Sequence, residues 1–257
     1  MGALSNTKPV LLLLIPLLML HRNSDTSFNF PNFSGPRPNT ALTFQGDAHL
    51  KDGFIDPTQF VKNDVVVPSS GRATYSLPIR LWSQKTGKAA SFTSNFTFSI
   101  LHAPHVDTGD GISFFLAPFG SDMPKDSSGG FLGLFSSDTA VVNTDSNHIV
   151  AVEFDMHRNV WDPDVPHVGI DVNSIASVAT AQWEIQQLGV ATVFATVGYD
   201  SVASRLSVAV SDGATISHVV DLRSVLPEWV SVGFSGASGK AIEVHRILSW
   251  SFSSSFD

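Results

Sequence analysis

The sequence contains no cysteine, so no disulfide bond can stabilise its fold. A chain of 257 residues, 43% of them hydrophobic, can instead rely on a substantial core or on bound metal. Basic residues are also few, with 15 Lys and Arg against 23 Asp and Glu, and the formal net charge is −8. This acidic balance disfavours binding to nucleic acid or to an anionic membrane surface.

Long amphipathic helices, internal repeats and low-complexity linkers are missing as well. Only residues 221–229, DLRSVLPEW, favour a short helical turn, which Pro227 ends. Beyond the amino terminus, no apolar segment reaches the ~20 residues that cross a bilayer, so we expect no membrane span. One domain is the simplest interpretation of this pattern.

Residues 1–24 have the composition of a secretory signal peptide: Lys8 precedes the apolar run PVLLLLIPLLML, and the polar HRNS follows it. Cleavage near Ser24 would leave a domain of residues 25–257 with a formal charge of −10, because Lys8 and Arg22 are removed with no acid. We therefore expect the secretory pathway, ending outside the cell or in a storage vacuole. Two sequons make Asn32 and Asn95 candidates for glycosylation.

Short runs of alternating apolar and polar residues predict β-strands along the rest of the chain. The predicted strands lie at 27–33, 73–82, 91–101, 111–118, 148–154, 167–175, 190–199, 205–212, 228–236 and 245–256. Many closely spaced strands without long helices indicate an all-β fold, an antiparallel sandwich. We assign four large side chains to its core: Phe114, Phe115, Trp161 and Trp250.

One predicted strand is unusually acidic. Glu153, Asp155 and His157 alternate in VEFDMH and therefore share one face of the strand. Further polar side chains follow it in the sequence: Asn159, Asp162 and His167. Crowded carboxylates resist burial unless a cation neutralises them, and this set of oxygens with an imidazole suits calcium or a transition ion such as manganese. The spacing alone fits a solvated acidic face equally well.

Residues 153–163, EFDMHRNVWDP, and 167–174, HVGIDVNS, resemble the metal-binding signature of the legume lectins. The segments ASFTSNFTFSI, GISFFLAP, GGFLGLF and LSWSF extend this resemblance over the mature chain. The resemblance implies a jelly-roll (concanavalin-like) β-sandwich without catalytic activity, which carries adjacent Mn²⁺ and Ca²⁺ ions and binds carbohydrate.

Position by position, the resemblance implies two sets of metal ligands. Those of the transition metal are Glu153, Asp155, Asp162 and His167. Those of calcium are Asp155, Asp162, the side chain of Asn159 and the backbone carbonyl of His157. Ser177 falls where the family has a hydroxyl close to a metal-bound water.

A site for a neutral sugar needs a carboxylate acceptor, amide donors and an apolar surface. The resemblance assigns these polar roles to Asp110, to the backbone N–H of Gly130 and to Asn159. It also implies a cis peptide bond before Asp110, where Gly109 replaces the usual Ala. A fourth loop has the length found in mannose- and glucose-binding members, and its contact positions are Lys240 and Ala241.

Position 157 departs from the family, which usually has Phe or Tyr there to pack against the sugar. An imidazole is smaller, and its ordinary pKa is about 6.5. We therefore expect His157 to make sugar binding weaker or dependent on pH. The calcium site should tolerate the change, because the ligand at this position is the backbone carbonyl.

Two other functions compete with a sugar-binding lectin. Sandwich-fold glycoside hydrolases of the laminarinase type need a pair of catalytic carboxylates, typically in the pattern E-x-D-x-x-E. Glu153 and Asp155 match its start, but the last acid is absent. A lectin-like storage or defence protein without monosaccharide binding is favoured only by Gly109 and His157.

The resemblance also implies a homodimer or homotetramer, in which subunits pair through the edges of their sheets. Such an assembly would present several sites to glycans and glycoproteins, and avidity would strengthen weak single-site binding.

Overall fold

The structure, a computed structural model, describes residues 25–59, 61–62, 65–102, 107–142, 144, 146–185 and 190–256. The predicted signal peptide lies outside the described residues. The strands are β1 (Thr26–Phe30), β2 (Leu42–Gly46), β3 (His49–Lys51), β4 (Phe54–Asp56), β5 (Val61–Lys62), β6 (Val65–Val66), β7 (Ser69–Tyr75), β8 (Ile79–Arg80), β9 (Ser91–His102), β10 (Gly111–Pro118), β11 (Val150–Asp155), β12 (His167–Val172), β13 (Ala179–Gln182), β14 (Val190–Asp200), β15 (Arg205–Val210), β16 (Thr215–Val219), β17 (Trp229–Ser238) and β18 (Glu243–Ser255). The helices are α1 (Pro36–Ala41) and α2 (Leu222–Val225), with a 3-10 turn at Gly129–Phe131.

The strands form two antiparallel sheets of eight strands each in the described part of the chain. The back sheet has the order β16-β15-β14-β9-β18-β4-β3, with β1 also paired to β18. The front sheet has the order β13-β12-β11-β10-β17-β7-β2, with β8 also paired to β17. Strands β5 and β6 form a separate hairpin. This architecture confirms the predicted all-β antiparallel sandwich.

The core between the sheets is rich in aromatic rings, because alternate residues of each strand face inward. The ring of Phe96 on the back sheet lies 5.0 Å from Phe234 and 5.8 Å from Phe114 on the front sheet. Phe234 lies 4.9 Å from Trp250, which is also buried. The prediction that Phe114 and Trp250 belong to the core is confirmed.

A second, smaller apolar cluster covers the opposite face of the front sheet. Phe115 on β10 packs there with Leu132, Leu134 and Phe135 from the long connection between β10 and β11. Trp161 is half-buried at the margin of this cluster and stacks on Phe131, with ring centroids 5.6 Å apart. The cluster holds the 3-10 turn close to the front sheet.

The sequence pattern predicted α2 and missed α1. Asp221 begins α2 by accepting a hydrogen bond from the backbone N–H of Arg223. The residues of α1, PRPNTA, show no helical periodicity, but Pro36 suits the first turn because its φ is fixed and it needs no N–H partner. Among the described residues, no helix has the length and hydropathy needed to cross a membrane.

Strand boundaries also differ from the prediction. The predicted strand at 73–82 is interrupted, since β7 ends at Tyr75 and β8 begins only after Pro78, which has no N–H to donate to a ladder. The prediction missed seven strands: β2, β3, β4, β5, β6, β13 and β16. These strands have two to five residues, too few to show a clear period.

The two sequons differ in their surroundings. Asn32 is exposed in a bend after β1. Asn95 is half-buried in the middle of β9, where its Oδ1 accepts a hydrogen bond from Thr196 at 2.8 Å. Glycosylation of either residue remains a prediction, and accessibility favours Asn32.

Candidate functional site

Three neighbouring strands of the front sheet bring the predicted site residues together at one end of the sheet. Gly111 at the start of β10 pairs with Asp155 at the end of β11, and Asp155 also pairs with His167 at the start of β12. Gly111 pairs on its other side with Ala237, near the end of β17. The loops that precede β10, follow β11 and follow β17 therefore meet.

The candidate metal centre contains Glu153, Asp162 and His167, whose ligand atoms lie within 4.8 Å of one another. His167 Nε2 is 3.0 Å from Glu153 Oε1. Gly169 makes room for this cluster, because a Cβ at that position would lie only 2.5 Å from Glu153 Oε1. The cluster therefore lies across the paired strands β11 and β12 and requires a glycine at position 169.

The carboxylates of this cluster are held together at an electrostatic cost. Burial, together with the neighbouring Glu153 and Asp162, raises the pKa of Asp155 well above its ordinary value. Burial likewise raises the pKa of Asp162 to about 6. Burial disfavours the charged form of His167, but the hydrogen bond to Glu153 outweighs this and raises the pKa of the imidazole. A bound cation would relieve the repulsion between these carboxylates.

Ser177 connects Glu153 to a fourth acid that sequence reasoning missed. Its Oγ lies 2.6 Å from Glu153 Oε1 and 2.7 Å from Asp171 Oδ1. A hydroxyl carries one hydrogen, so one of the two carboxyl groups must be protonated for both contacts to be hydrogen bonds. Burial raises the pKa of Asp171 well above its ordinary value. The alternation of His167 and Asp171 on β12 was the sequence signal for this acid.

Free buried oxygens show that these residues fit a metal ion. Glu153 Oε2 and Asn159 Oδ1 are buried and have no hydrogen-bond partner in the described part of the chain. Other oxygens are already oriented by the backbone: Asp155 Oδ1 accepts from His157 N at 2.6 Å, and Asp162 Oδ2 accepts from Asn159 N at 2.7 Å. Carboxylate and amide oxygens beside one imidazole are the donors that calcium and manganese take.

The predicted sugar-binding residues lie beside this cluster. The peptide bond between Gly109 and Asp110 is cis. Burial raises the pKa of Asp110 to about 6, and its Oδ2 is buried with no hydrogen-bond partner among the described residues. The amide group of Asn159 packs against Gly130, where an added Cβ would overlap with Oδ1 and would lie 2.6 Å from Nδ2. The segment before β10 is joined to the end of β11 by the backbone, because Met156 N donates to Asp110 O at 3.1 Å.

The fourth loop closes the site on its other side. A Cβ on Gly109 would lie 2.5 Å from the Cβ of His157 and 3.0 Å from that of Ala241, so these three residues are in close contact. Ala241 is buried, whereas Lys240 is exposed on the same loop. The structure therefore brings Gly109, His157 and Ala241 together and leaves Lys240 at the rim.

Almost the whole chain is similar in sequence to known proteins. The legume lectin domain, as a sequence family, matches residues 25–257. Lectin 7 of Medicago truncatula is 46% identical, covering 98% of this chain and 98% of that protein. The mannose/glucose-specific lectin of Centrolobium tomentosum is 43% identical, covering 89% of this chain and 95% of that protein.

Solved structures are also similar to this chain, in both sequence and fold. Lectin II from Ulex europaeus is 42% identical and superposes with a TM-score of 0.80, covering 90% of this chain and 98% of that one. A structure titled lectin UEA-II complexed with galactose is 41% identical and has a TM-score of 0.79, with the same coverage. Because these relatives are named as lectins, they support carbohydrate binding rather than glycoside hydrolysis. The chain therefore belongs to the legume lectin family, whose members bind carbohydrate, and it is not an enzyme.

Proposed function

We propose that the protein binds mannose- or glucose-type glycans between Asp110 and Asn159, and that this binding depends on Ca²⁺ and Mn²⁺. The observation that carries the proposal is the position of the Asn159 side chain. Both Oδ1 and Nδ2 of Asn159 lie against Gly130, and the buried Oδ1 has no hydrogen-bond partner in the described part of the chain. One side chain can therefore serve both a metal ion, through Oδ1, and a sugar hydroxyl, through Nδ2.

The metal ligands in this proposal are those implied by the family resemblance. Glu153, Asp155, Asp162 and His167 would hold Mn²⁺, and Ca²⁺ would share both Asp residues and add Asn159 and the carbonyl of His157. The ions supply positive charge that neutralises the buried carboxylates. Ser177 contacts Glu153 Oε1 and is itself held by Asp171 Oδ1, and so keeps the carboxylate of Glu153 oriented.

The sugar-binding groups in this proposal are Asp110 as acceptor, and Gly130 N–H and Asn159 Nδ2 as donors. Two observations support mannose or glucose as the sugar: the short fourth loop that contains Ala241, and the similarity to a mannose/glucose-specific lectin. Galactose is the direct competitor, because a lectin of comparable similarity is solved as its complex with galactose.

A homodimer or homotetramer is part of the proposal. The outer face of the back sheet is uncharged at its centre, where Asn95 on β9 pairs with Thr196 on β14 and with Ser251 on β18. A face of small, uncharged polar residues can pack against a second copy without the burial of charged groups. We also propose passage through the secretory pathway to the extracellular space or a storage vacuole, on the evidence of residues 1–24 alone.

Titration calorimetry with methyl mannoside and with galactose, in Ca²⁺ and Mn²⁺, tests the sugar site. Wild-type protein should bind the mannoside and not galactose. Asp110→Asn should weaken mannoside binding roughly 10- to 150-fold, because hydrogen bonds to a charged acceptor contribute about 1.5–3 kcal/mol. Asp212→Asn is the matched control, since Asp212 is exposed in the hairpin between β15 and β16. Galactose binding would refute the preference, and unchanged mannoside binding by Asp110→Asn would refute the site.

A storage or defence protein without monosaccharide binding is the second candidate, favoured by one observation. His157 stands where the family resemblance implies a larger ring, and its Cβ lies in the space beside Gly109. If neither sugar binds although both metals are retained, this second function replaces the first.

A further inference from the structure

Arg72 is a buried cation away from the sugar site. It lies on β7, between β17 and β2, and only 2% of the residue is exposed. Its Nε donates to the carbonyl of Gly133 at 2.7 Å and its Nη2 to that of Leu134 at 3.0 Å. No Asp or Glu among the described residues forms a salt bridge with it.

The charge of this guanidinium is only partly balanced. The carbonyls are neutral, and the ring of Phe115, 4.9 Å from the guanidinium carbon, contributes a weaker attraction. Burial lowers the pKa of Arg72 to about 10, so the group remains charged at neutral pH. A guanidinium has five N–H groups, and the two bonds to carbonyls leave three of them without an acceptor in the described part of the chain.

A small cavity of about 100 Å³ opens beside Arg72 on the outer face of the front sheet. The residues that line it include several with side-chain hydroxyl groups: Thr43, Thr74, Ser76, Ser121 and Ser231. Ser231 Oγ accepts from Gly120 N at 3.2 Å, so its own hydrogen can point to a ligand. Among the residues that the structure describes, no acidic side chain lines this cavity.

The other side of Arg72 is less suitable for an anion. A larger cavity of about 260 Å³ is also lined by Arg72, but Asp122 is part of its wall. A negative side chain there repels an anion. The smaller cavity combines a buried positive charge with neutral donors, and that combination stabilises an anion removed from water.

We propose that Arg72 and the hydroxyl groups of the smaller cavity form a binding site for a small oxyanion of the size of acetate or sulfate. The free N–H groups at the end of the guanidinium can donate in parallel to two oxygens of one anion, which a spherical halide does not offer. The site is distinct from the sugar site, because Asp110, Gly130 and Asn159 are absent from its lining.

Equilibrium dialysis of the purified protein against radiolabelled sulfate and, separately, radiolabelled acetate tests the proposal. We expect one bound anion per chain. Ser231→Asp should abolish binding, because the new carboxylate keeps an acceptor for Gly120 N–H and occupies the place of the anion beside Arg72. Arg72→Met should abolish binding as well, and Arg205→Met, which removes an exposed positive charge on β15, should leave it unchanged.

The outcomes separate the alternatives. Binding of sulfate alone identifies a tetrahedral anion, binding of acetate alone a carboxylate, and binding of both a general oxyanion site; each supports the proposal if Ser231→Asp removes it. Absence of both anions from the wild-type protein overturns the proposal. Equal binding by wild type and Ser231→Asp also overturns it. If Arg72→Met does not fold, Ser231→Asp alone decides, and its melting temperature should no longer respond to the anion.

Discussion

Replacing Gly130 by Ala should disable the sugar site while leaving the sandwich intact. An added Cβ would overlap most closely with Asn159 Oδ1 and would lie 2.5 Å from Asn159 Cγ and 2.6 Å from Asn159 Nδ2, whereas Cβ contacts below 3.0 Å are essentially never observed. Gly130 has no positive φ, so the effect comes from this overlap and not from backbone strain. The amide of Asn159 must therefore move away from its position.

The size of the effect follows from that displacement. Restoring an ordinary separation of 3.4 Å requires a movement close to 1 Å, and a calcium–oxygen bond of about 2.3–2.6 Å does not survive such a change. Disturbing even a supporting partner of a metal typically costs roughly 10- to 100-fold in affinity, or about 1.4–2.7 kcal/mol. We expect at least this loss for calcium, and for methyl mannoside the additional loss of a donor.

Chelator competition for calcium and calorimetry with methyl mannoside measure the two losses. Gly198→Ala is the matched control, because a Cβ there meets only Phe92 O, at 3.9 Å. The control should bind calcium and mannoside as wild type does. If Gly130→Ala also binds both normally and melts at the wild-type temperature, Asn159 does not have the double role assigned to it.

Three further changes test other parts of the structure. After EDTA treatment, the free energy of unfolding should fall as pH rises from 3.8 to about 6. Burial raises the pKa values of Asp110 and Asp162 to about 6, so in this interval the folded chain binds more protons than the unfolded chain. Urea unfolding at several pH values measures this change. His157→Phe should bind methyl mannoside more tightly, because the larger ring offers more apolar surface to the sugar; calorimetry from about pH 5 to 8 measures it. Ser94→Ala should destabilise the fold by about 1–3 kcal/mol in urea, because the buried Trp250 Nε1, 3.0 Å from Ser94 Oγ, loses its acceptor.

Each of these changes has a control. Protein saturated with Ca²⁺ and Mn²⁺ should lose the contribution of Asp162 and show a smaller pH effect, and an identical slope with and without metal would contradict the assignment of Asp162 as a ligand. Equal mannoside affinity of His157→Phe and wild type from pH 5 to 8 would show that position 157 does not limit binding. Ser207→Ala, exposed on β15, should leave the free energy of unfolding unchanged, and an equally small effect of Ser94→Ala would contradict the importance of the Trp250 hydrogen bond.

The sequence predicted the long strands because their period is visible over many residues. The run at 111–118 coincides with β10, and that at 91–101 coincides with β9 to within one residue. The same period placed Glu153 and Asp155 on one face. Short strands such as β3, with three residues, contain too few positions for a period to be recognised, and α1 depends on where Pro36 lies rather than on an apolar stripe.

The contacts within the site could be recognised only in the three-dimensional structure. The sequence could not show that Ser177 lies between Glu153 and Asp171, since the side chain of Asp171 reaches Ser177 only where the chain turns back after β12. Nor could it show that neighbouring side chains fill the space that a Cβ would need at Gly130 and Gly169. Arg72 stands among small residues in SSGRATY, and its isolation from carboxylates becomes visible only in the folded chain.

The central claim is that metal ions hold Asn159 and Asp110 in place to receive a sugar. The most direct test is calorimetric titration with methyl mannoside on one sample, first with Ca²⁺ and Mn²⁺, then after EDTA, and then with both ions restored. We predict binding in the first and third titrations and none in the second. Undiminished binding after complete removal of both metals would contradict the claim.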